Sequence, residues 1–417
     1  MKPEALQKIL EDSTSELANA KKVLVIHPDY SRNDYTHQII PKLYSLLEKR
    51  GLKALDLLNA GGTHRKMTTE ELVTKLGVSP VSHPKIRKMI NHEFDDEAQL
   101  LHATTLSKKF IHEKTGGNLN QELVVDVNKI ITDDYDLIVA ISGTVPHEAL
   151  GYSGGTKIFF PGISGPKVIS MLHWAAVLIG IPKIIGTLDN PAREIVNAGT
   201  KEIFKLIPKT KILSLNMVYT EDENHNAVPK GLFWGYDFEG FKSAHKDAAS
   251  LSSKLHIKYL AEPKKIVVQA LPQMYDEVWT AGKGSYKLQK PGVIAENGEI
   301  ILYAPHIDCF HSNQKMDADI RKIGYHGIDY VLDFCKRNPD FDKNIASHVI
   351  NVRGFGTLKS NNEEFPFKVS LATQISESEC KAVNLGYVDP KSLNPSDFQN
   401  ENKLWIPDGG QWLYDRK

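Results

Sequence analysis

The stretch Asp136-Leu137-Ile138-Val139-Ala140-Ile141-Ser142 decides the fold. Its apolar residues lack the alternation of a half-wet strand, so it reads as a β-strand covered on both faces, as in parallel sheets flanked by helices. In open sheets of that kind ligands gather beyond the carboxyl ends of the strands. Beyond this one lies Pro146-His147-Glu148-Ala149-Leu150-Gly151-Tyr152-Ser153-Gly154-Gly155-Thr156-Lys157, a histidine and a lysine around a cluster of glycines. His147 and Lys157 therefore become site candidates by position as well as by chemistry.

Two further apolar runs end in similar residues. Val23-Leu24-Val25-Ile26 opens into His27-Pro28-Asp29-Tyr30-Ser31-Arg32, and Ala54-Leu55-Asp56-Leu57-Leu58-Asn59-Ala60 opens into Gly61-Gly62-Thr63-His64-Arg65. If the three strands are neighbours, Arg32, His64 and His147 line one cleft, which suits a small anion that gains and loses a proton. Helical signals separate the strands. Residues 37–49 set Ile39, Ile40, Leu43, Leu46 and Leu47 on one stripe, with Pro41 near the first turn and Gly51 as a left-handed stop. Thr68 and Glu71 form a capping box that opens a second helix through Leu72 and Leu76 to Gly77. This βαβα order predicts a doubly wound α/β arrangement.

A break near Ala261-Glu262-Pro263 precedes a new strand, Ile266–Leu271, and Glu299–Ala304 repeats the pattern. The expectation is two α/β domains with mainly parallel sheets, residues 1–262 and 263–417. Asn361-Asn362-Glu363-Glu364 reads as a surface loop.

Composition narrows the function classes. The chain has 417 residues, 41% of them hydrophobic, with 51 basic and 51 acidic side chains, enough to bury substantial cores. Balanced charge without a basic tract argues against a nucleic-acid surface and for a small-molecule partner. No apolar leader and no run of about 20 apolar residues occurs, so a cytoplasmic protein is expected. Cys309, Cys335 and Cys380 are too scattered for a disulfide framework or a zinc–cysteine site, whereas 16 histidines make imidazole the more plausible metal ligand.

Each candidate also has an ordinary structural reading. His64 could bond its own turn, and Arg32 could pair with Asp29 as a surface bridge. Gly151, Gly154 and Gly155 could make a tight turn, or hold a phosphate on backbone N–H groups with Ser153, although the spacing does not fit a P-loop. His173, in the apolar helix Val168-Ile169-Ser170-Met171-Leu172-His173-Trp174, could be a core histidine, and Lys283, between glycines, a solvated lysine. His92 and His326 draw notice without suggesting a role.

Taken in order, Asp29-x-x-Arg32, Gly62-Thr63-His64-Arg65, Pro146-His147, Gly151-Tyr152-Ser153-Gly154-Gly155-x-Lys157, Pro161-Gly162-Ile163 and His173 resemble the lactate racemase family. The resemblance continues to Trp279-Thr280-Ala281-Gly282-Lys283-Gly284 and Ile406-Pro407-Asp408-Gly409. It implies a nickel-pincer nucleotide, with Lys157 as its covalent thioamide tether, His173 as the protein ligand to nickel, and Ser153, Gly154 and Gly155 beside the cofactor. Residues 1–262 would then be the cofactor-binding catalytic domain. His64 and His147 would be the paired acid/base groups, and Arg32 and Lys283 the cations that anchor the substrate carboxylate, which would put the active site in the cleft between the two domains. Trp279 and Thr280 stand where the family's tyrosine and glutamine are expected, which leaves the substrate open between lactate and a longer or more hydroxylated acid.

The implied activity is racemisation or epimerisation of a 2-hydroxy acid by reversible hydride transfer. Other classes stay open. A nicotinamide-dependent dehydrogenase would need a GxGxxG turn that the first strand exit lacks, and a zinc hydrolase would need a close-spaced ligand pair. A non-catalytic nucleotide-binding protein would keep the glycine turn and tolerate loss of His64, His147 and Lys157.

Overall fold

The computed structural model describes residues 1–417 except 16, 18, 19, 33, 63, 223–225, 360 and 361. The chain divides into two compact units, Met1–Ile169 with Thr187–Leu255, and Ser170–Gly186 with His256–Lys417. A cut at 262 assigns residues 170–186 to the first domain, whereas here they group with the second. Thr63 of the His64 turn lies outside the described residues.

In the first unit the strands are β1 (Lys22–His27), β2 (Ala54–Asn59), β3 (Ile86–Asn91), β4 (Leu137–Gly143), β5 (Lys211–Glu221) and β6 (Ala227–Tyr236), in the order β6-β5-β4-β1-β2-β3. Only the β5–β6 pair is antiparallel. β1 is central, with Val23 opposite both Leu55 of β2 and Leu137 of β4. From Leu137 to Ser142 every residue of β4 is buried, as its unbroken apolar run predicts.

Helix α1 (Thr36–Lys49) buries Ile39, Ile40, Leu43, Leu46 and Leu47 in the same core as Val23, Val25, Leu55, Leu57, Leu137 and Val139. Helix α2 (Thr69–Leu76) opens on the expected capping box, with the Thr68 side chain accepting from Glu71 N–H and Glu71 accepting from Thr68 N–H. It stops at Gly77 in the left-handed conformation, φ 66°. A Cβ there would lie 2.4 Å from the His37 carbonyl oxygen, so only glycine lets α2 close against α1.

The second unit holds a fully parallel sheet of β7 (Lys264–Ala270), β8 (Ile294–Tyr303), β9 (Phe367–Ala372), β10 (Gly386–Tyr387) and β11 (Lys403–Ile406), in the order β10-β9-β8-β7-β11. Val268, Ile301, Ala372 and Phe398 form one of its buried clusters. Helix α3 (Pro166–Ile179) begins in the first unit and ends in the second. The stretch read as a loop at 361–364 is corrected in part: Asn362–Glu364 pairs antiparallel with Thr357–Lys359, and Asn361 lies outside the described residues. This exposed ribbon buries no face, so its sequence carries no alternation to announce it; Lys359 and Glu364 bridge it at 2.6 Å. Among the described residues no helix is long and apolar enough to cross a membrane.

Candidate active site

From β1 the first unit winds to β2 and β3 on one side and, through β4, to β5 and β6 on the other. The order therefore reverses between β1 and β4, where open α/β sheets leave a crevice at their carboxyl ends. The exits of β4, β1 and β2, adjacent in the sheet, carry His147, Arg32 and His64 respectively.

The β1 exit is tightly tied. Asp29 is buried, and one carboxylate oxygen accepts from the Ser31 hydroxyl at 2.7 Å and the Ser31 N–H at 3.1 Å. The other oxygen faces His64 Nδ1. Burial alone would raise the pKa of Asp29, but the charge and hydrogen bond of His64, with Ser31, outweigh it and hold the carboxyl well below the usual range. Lys75 of α2 steadies the rest of the loop, donating to the Arg32 carbonyl at 2.5 Å and to Asp34 at 2.9 Å.

The β4 exit folds back on itself, Pro146 pairing with Tyr152 and His147 with Gly151. Ala149 N–H donates to His147 Nδ1 at 3.1 Å, and a Glu148 carboxylate oxygen lies 3.5 Å from the same nitrogen. The two histidines are thus held differently at Nδ1: that of His64 faces the Asp29 carboxylate, an acceptor, whereas that of His147 faces the Ala149 N–H, a donor.

The glycine turn is spent on close packing. Gly154 and Gly155 have φ of 81° and 61°, and a Cβ on Gly155 would lie 2.6 Å from the His245 ring. Gly155 N–H donates to Asn216 Oδ1 at 2.9 Å. The Ser153 hydroxyl donates to the Gly143 carbonyl at 2.7 Å and accepts from Val145 N–H at 3.0 Å. Lys157 follows on a short 3₁₀ turn, Gly155–Ile158. Burial of its amine, aided by the charges of Arg32 and Arg193 and opposed by Glu148 and Asp29, lowers its pKa to about 8. Those influences also show that residues from the β1 and β4 exits share one electrostatic neighbourhood.

In the second unit His173, half-buried on α3, has Nδ1 2.5 Å from Asn344 Oδ1. Asn344 is the second residue of helix α5 (Lys343–Arg353), numbered after α4 (Pro191–Lys205) of the first unit. One turn further, His348 stacks on Trp279 at 4.4 Å and meets the Tyr325 hydroxyl through Nε2 at 3.1 Å. Burial lowers its pKa to about 3, so it is a neutral ring. Trp279 also lies 5.2 Å from His311. Thr280 is buried and donates to the Glu277 carbonyl at 3.0 Å, while the Lys283 ammonium sits 4.6 Å from the centre of the Tyr275 ring.

Residues 3–181 match the family model of the lactate racemase N-terminal domain. This N-terminal segment is therefore similar to a lactate racemase N-terminal domain. Two curated relatives, both called lactate racemase, are similar to it. That of Lactiplantibacillus plantarum is 30% identical over 174 residues, 41% of this chain and 37% of that protein. That of Thermoanaerobacterium thermosaccharolyticum is 26% identical over 215 residues, 51% of this chain and 46% of that protein. In sequence the chain thus matches less than half the length of either. Among solved structures, a Thermotoga maritima protein is 50% identical and superposes with a TM-score of 0.95 over 100% of this chain and 99% of its own. The lactate racemase apoprotein of T. thermosaccharolyticum superposes at 0.71 over 99% of this chain and 93% of its own, at 20% identity, a likeness of fold.

Arg32, His64, His147, Lys157 and His173 all fall inside the matched lactate racemase domain, and Trp279, Thr280 and Lys283 fall outside it. Sequence reasoning missed Arg193. Its buried guanidinium donates to the carbonyls of Leu150 at 3.3 Å and Gly154 at 3.2 Å, and to that of Tyr152, clamping the segment between His147 and Lys157. In sequence it sits in the first turn of α4 beside Glu194, where an arginine reads as solvated. The two unexplained histidines are structural: His92 is buried between the Ser164 carbonyl and Asn128, and His326 pairs with Glu363 and stacks on Tyr330.

Proposed function

We propose that this chain is a member of the lactate racemase family, a racemase or epimerase of a 2-hydroxy acid that works with a lysine-tethered nickel-pincer nucleotide. The observation that carries the reading is that His64 and His147 stand at the exits of β2 and β4, on either side of the β1 exit that carries Arg32, with the enclosed Lys157 following the β4 exit in the chain. Inversion at a carbinol carbon needs a base on one face and an acid on the other. His64, backed by Asp29, takes the hydroxyl proton at Nε2, and His147 returns one from Nε2. His147 acts as acid in its doubly protonated form and is left neutral with a proton on Nδ1, which the Glu148 carboxylate, 3.5 Å away, would accept. Run in the opposite direction, the same pair exchanges roles. Arg32, its backbone held by Lys75 and Asp29, offers a planar fork for the substrate carboxylate.

The residues fit the cofactor. Lys157 would hold it by acylation, and an amine with a pKa near 8 is neutral often enough to act as the nucleophile. His173 would give nickel a neutral nitrogen, which suits that metal. When bound, the nucleotide supplies a hydride acceptor that can return the hydride to either face. Lys283 would add a second cation for the carboxylate. A cytoplasmic location and a small-molecule substrate go with this reading.

The test is intact mass with nickel content on protein produced beside the cofactor-making enzymes, for the native chain and Lys157→Ala, with a known lactate racemase loaded in parallel. A covalent adduct with near-stoichiometric nickel, both lost in the variant, is the expected result. Absence of both from the native chain, while the parallel racemase loads, would sink the proposal.

A further inference from the structure

We propose that Asn344 is the positioning residue for His173: its side-chain oxygen keeps the imidazole proton on Nδ1 and so makes Nε2 the nitrogen that offers a lone pair to a metal. The inference rests on the reading of His173 as a ligand, but its core is a statement about one hydrogen bond. A neutral imidazole has a single N–H, and an amide oxygen at 2.5 Å from Nδ1 can only be its acceptor. The remaining lone pair is then on Nε2. Ligating histidines are oriented in this way by an acceptor on the other ring nitrogen.

The geometry around the pair is rigid enough for the task. Asn344 is 4% exposed, and its backbone N–H donates to the Asp342 side chain at 2.7 Å. Asp342 caps α5 and also accepts from the Ser170 hydroxyl at 3.1 Å. Ser170 and His173 are three residues apart on α3 and share a face of it. Two side-chain bonds, Ser170 to Asp342 and His173 to Asn344, therefore join the same two stretches of helix. With the ring held at Nδ1, rotation about its side-chain bonds is restricted, and the direction of Nε2 is set by α5.

A merely structural Asn344 would contribute stability and leave the tautomer and the metal untouched. The experiment separates these cases. Full-length cofactor-free protein with ¹⁵N-labelled histidine is recorded above neutral pH by two-bond nitrogen–proton correlation, the His173 signals being assigned by their loss in His173→Gln. The expected pattern is a protonated Nδ1 and an unprotonated Nε2 in the native chain and in Asn344→Asp, with a shift toward Nε2 protonation in Asn344→Leu. An Nε2-protonated His173 in the native chain overturns the proposal whether or not the leucine variant folds, and so does an unchanged tautomer in a folded Asn344→Leu.

The metal readout uses the same chains produced beside the cofactor-making enzymes. Asn344→Leu should keep the covalent adduct mass while nickel affinity falls about 10–100-fold. Full nickel retention in that variant overturns the positioning role. If His173→Gln itself retains nickel, it is the assignment of His173 as ligand that fails, while the tautomer result stands on its own.

Discussion

Replacing Lys157 by methionine should stabilise the cofactor-free protein at neutral pH, and stabilise it less as the pH rises. Burial and the neighbouring Arg32 and Arg193 charges lower the ammonium's pKa from 10.5 to about 8. Below pH 8 the amine is protonated in both folded and unfolded chains, and the folded state bears the whole cost of holding a charge there. Each pKa unit is about 1.4 kcal/mol, and allowing for partial exposure of the lysine stem the cost is about 2–3 kcal/mol. Between pH 8 and 10.5 the folded chain has released the proton while the unfolded chain still binds it, so native stability rises with pH across that window. Methionine has nearly the same length and no charge, so the variant lacks both the cost and the slope. For a unit of this size the gain corresponds to roughly 4–12 °C in the melting transition at pH 7. The assay is thermal unfolding of both chains at pH 7 and pH 10, taking the difference at each pH so that other titrating groups cancel. A variant no more stable than the native chain at pH 7, or equally more stable at both pH values, would refute the argument that Lys157 is kept in an enclosed, charge-averse setting.

Further expectations follow from other contacts. Asp29→Asn exchanges a charge-assisted bond to His64 for a neutral one, a loss of about 1.5–3 kcal/mol, so kcat/KM should fall roughly 10–150-fold while the adduct mass is unchanged; a fall of less than threefold would remove Asp29 from the account. Arg193→Met leaves the Leu150, Tyr152 and Gly154 carbonyls without their donor, and at about 1–3 kcal/mol per buried group the melting point and the yield of covalent adduct should fall together. Gly155→Ala combines a positive φ with a Cβ 2.6 Å from the His245 ring, so it should cost about 2–3 kcal/mol, and the added substitution His245→Ala should recover part of that in chemical denaturation.

The candidate constellation was partly legible because each member sits where a strand ends. His147 and Lys157 follow the apolar run of β4, and Arg32 and His64 follow β1 and β2, so position along the chain already implied position at one sheet edge. The partners that give those side chains their states carry no such mark. Asp29 is an ordinary loop acid until His64 is brought against it by the β1–β2 pairing. Arg193, 36 residues after Lys157, looks like any helix-start cation. Thr280, singled out for a substrate contact, spends its hydroxyl on the Glu277 carbonyl of its own turn.

By itself the sequence determined the parallel β1, β2 and β4 strands, the capping box and glycine stop of α2, and the likeness of residues 3–181 to a lactate racemase domain, because these are written in local periodicity and contiguous motifs. Tertiary structure alone decided the rest: that β4, β1 and β2 are adjacent, that residues 170–186 join the C-terminal unit, that a carboxylate faces His64 Nδ1 while a backbone N–H faces His147 Nδ1, and that Asn344 stands at His173. The physical reason is that tautomers, lowered pKa values and buried hydrogen bonds depend on which groups share a few ångströms of dry space. Residues 171 positions apart along the chain, as His173 and Asn344 are, reveal that only once the helices are packed.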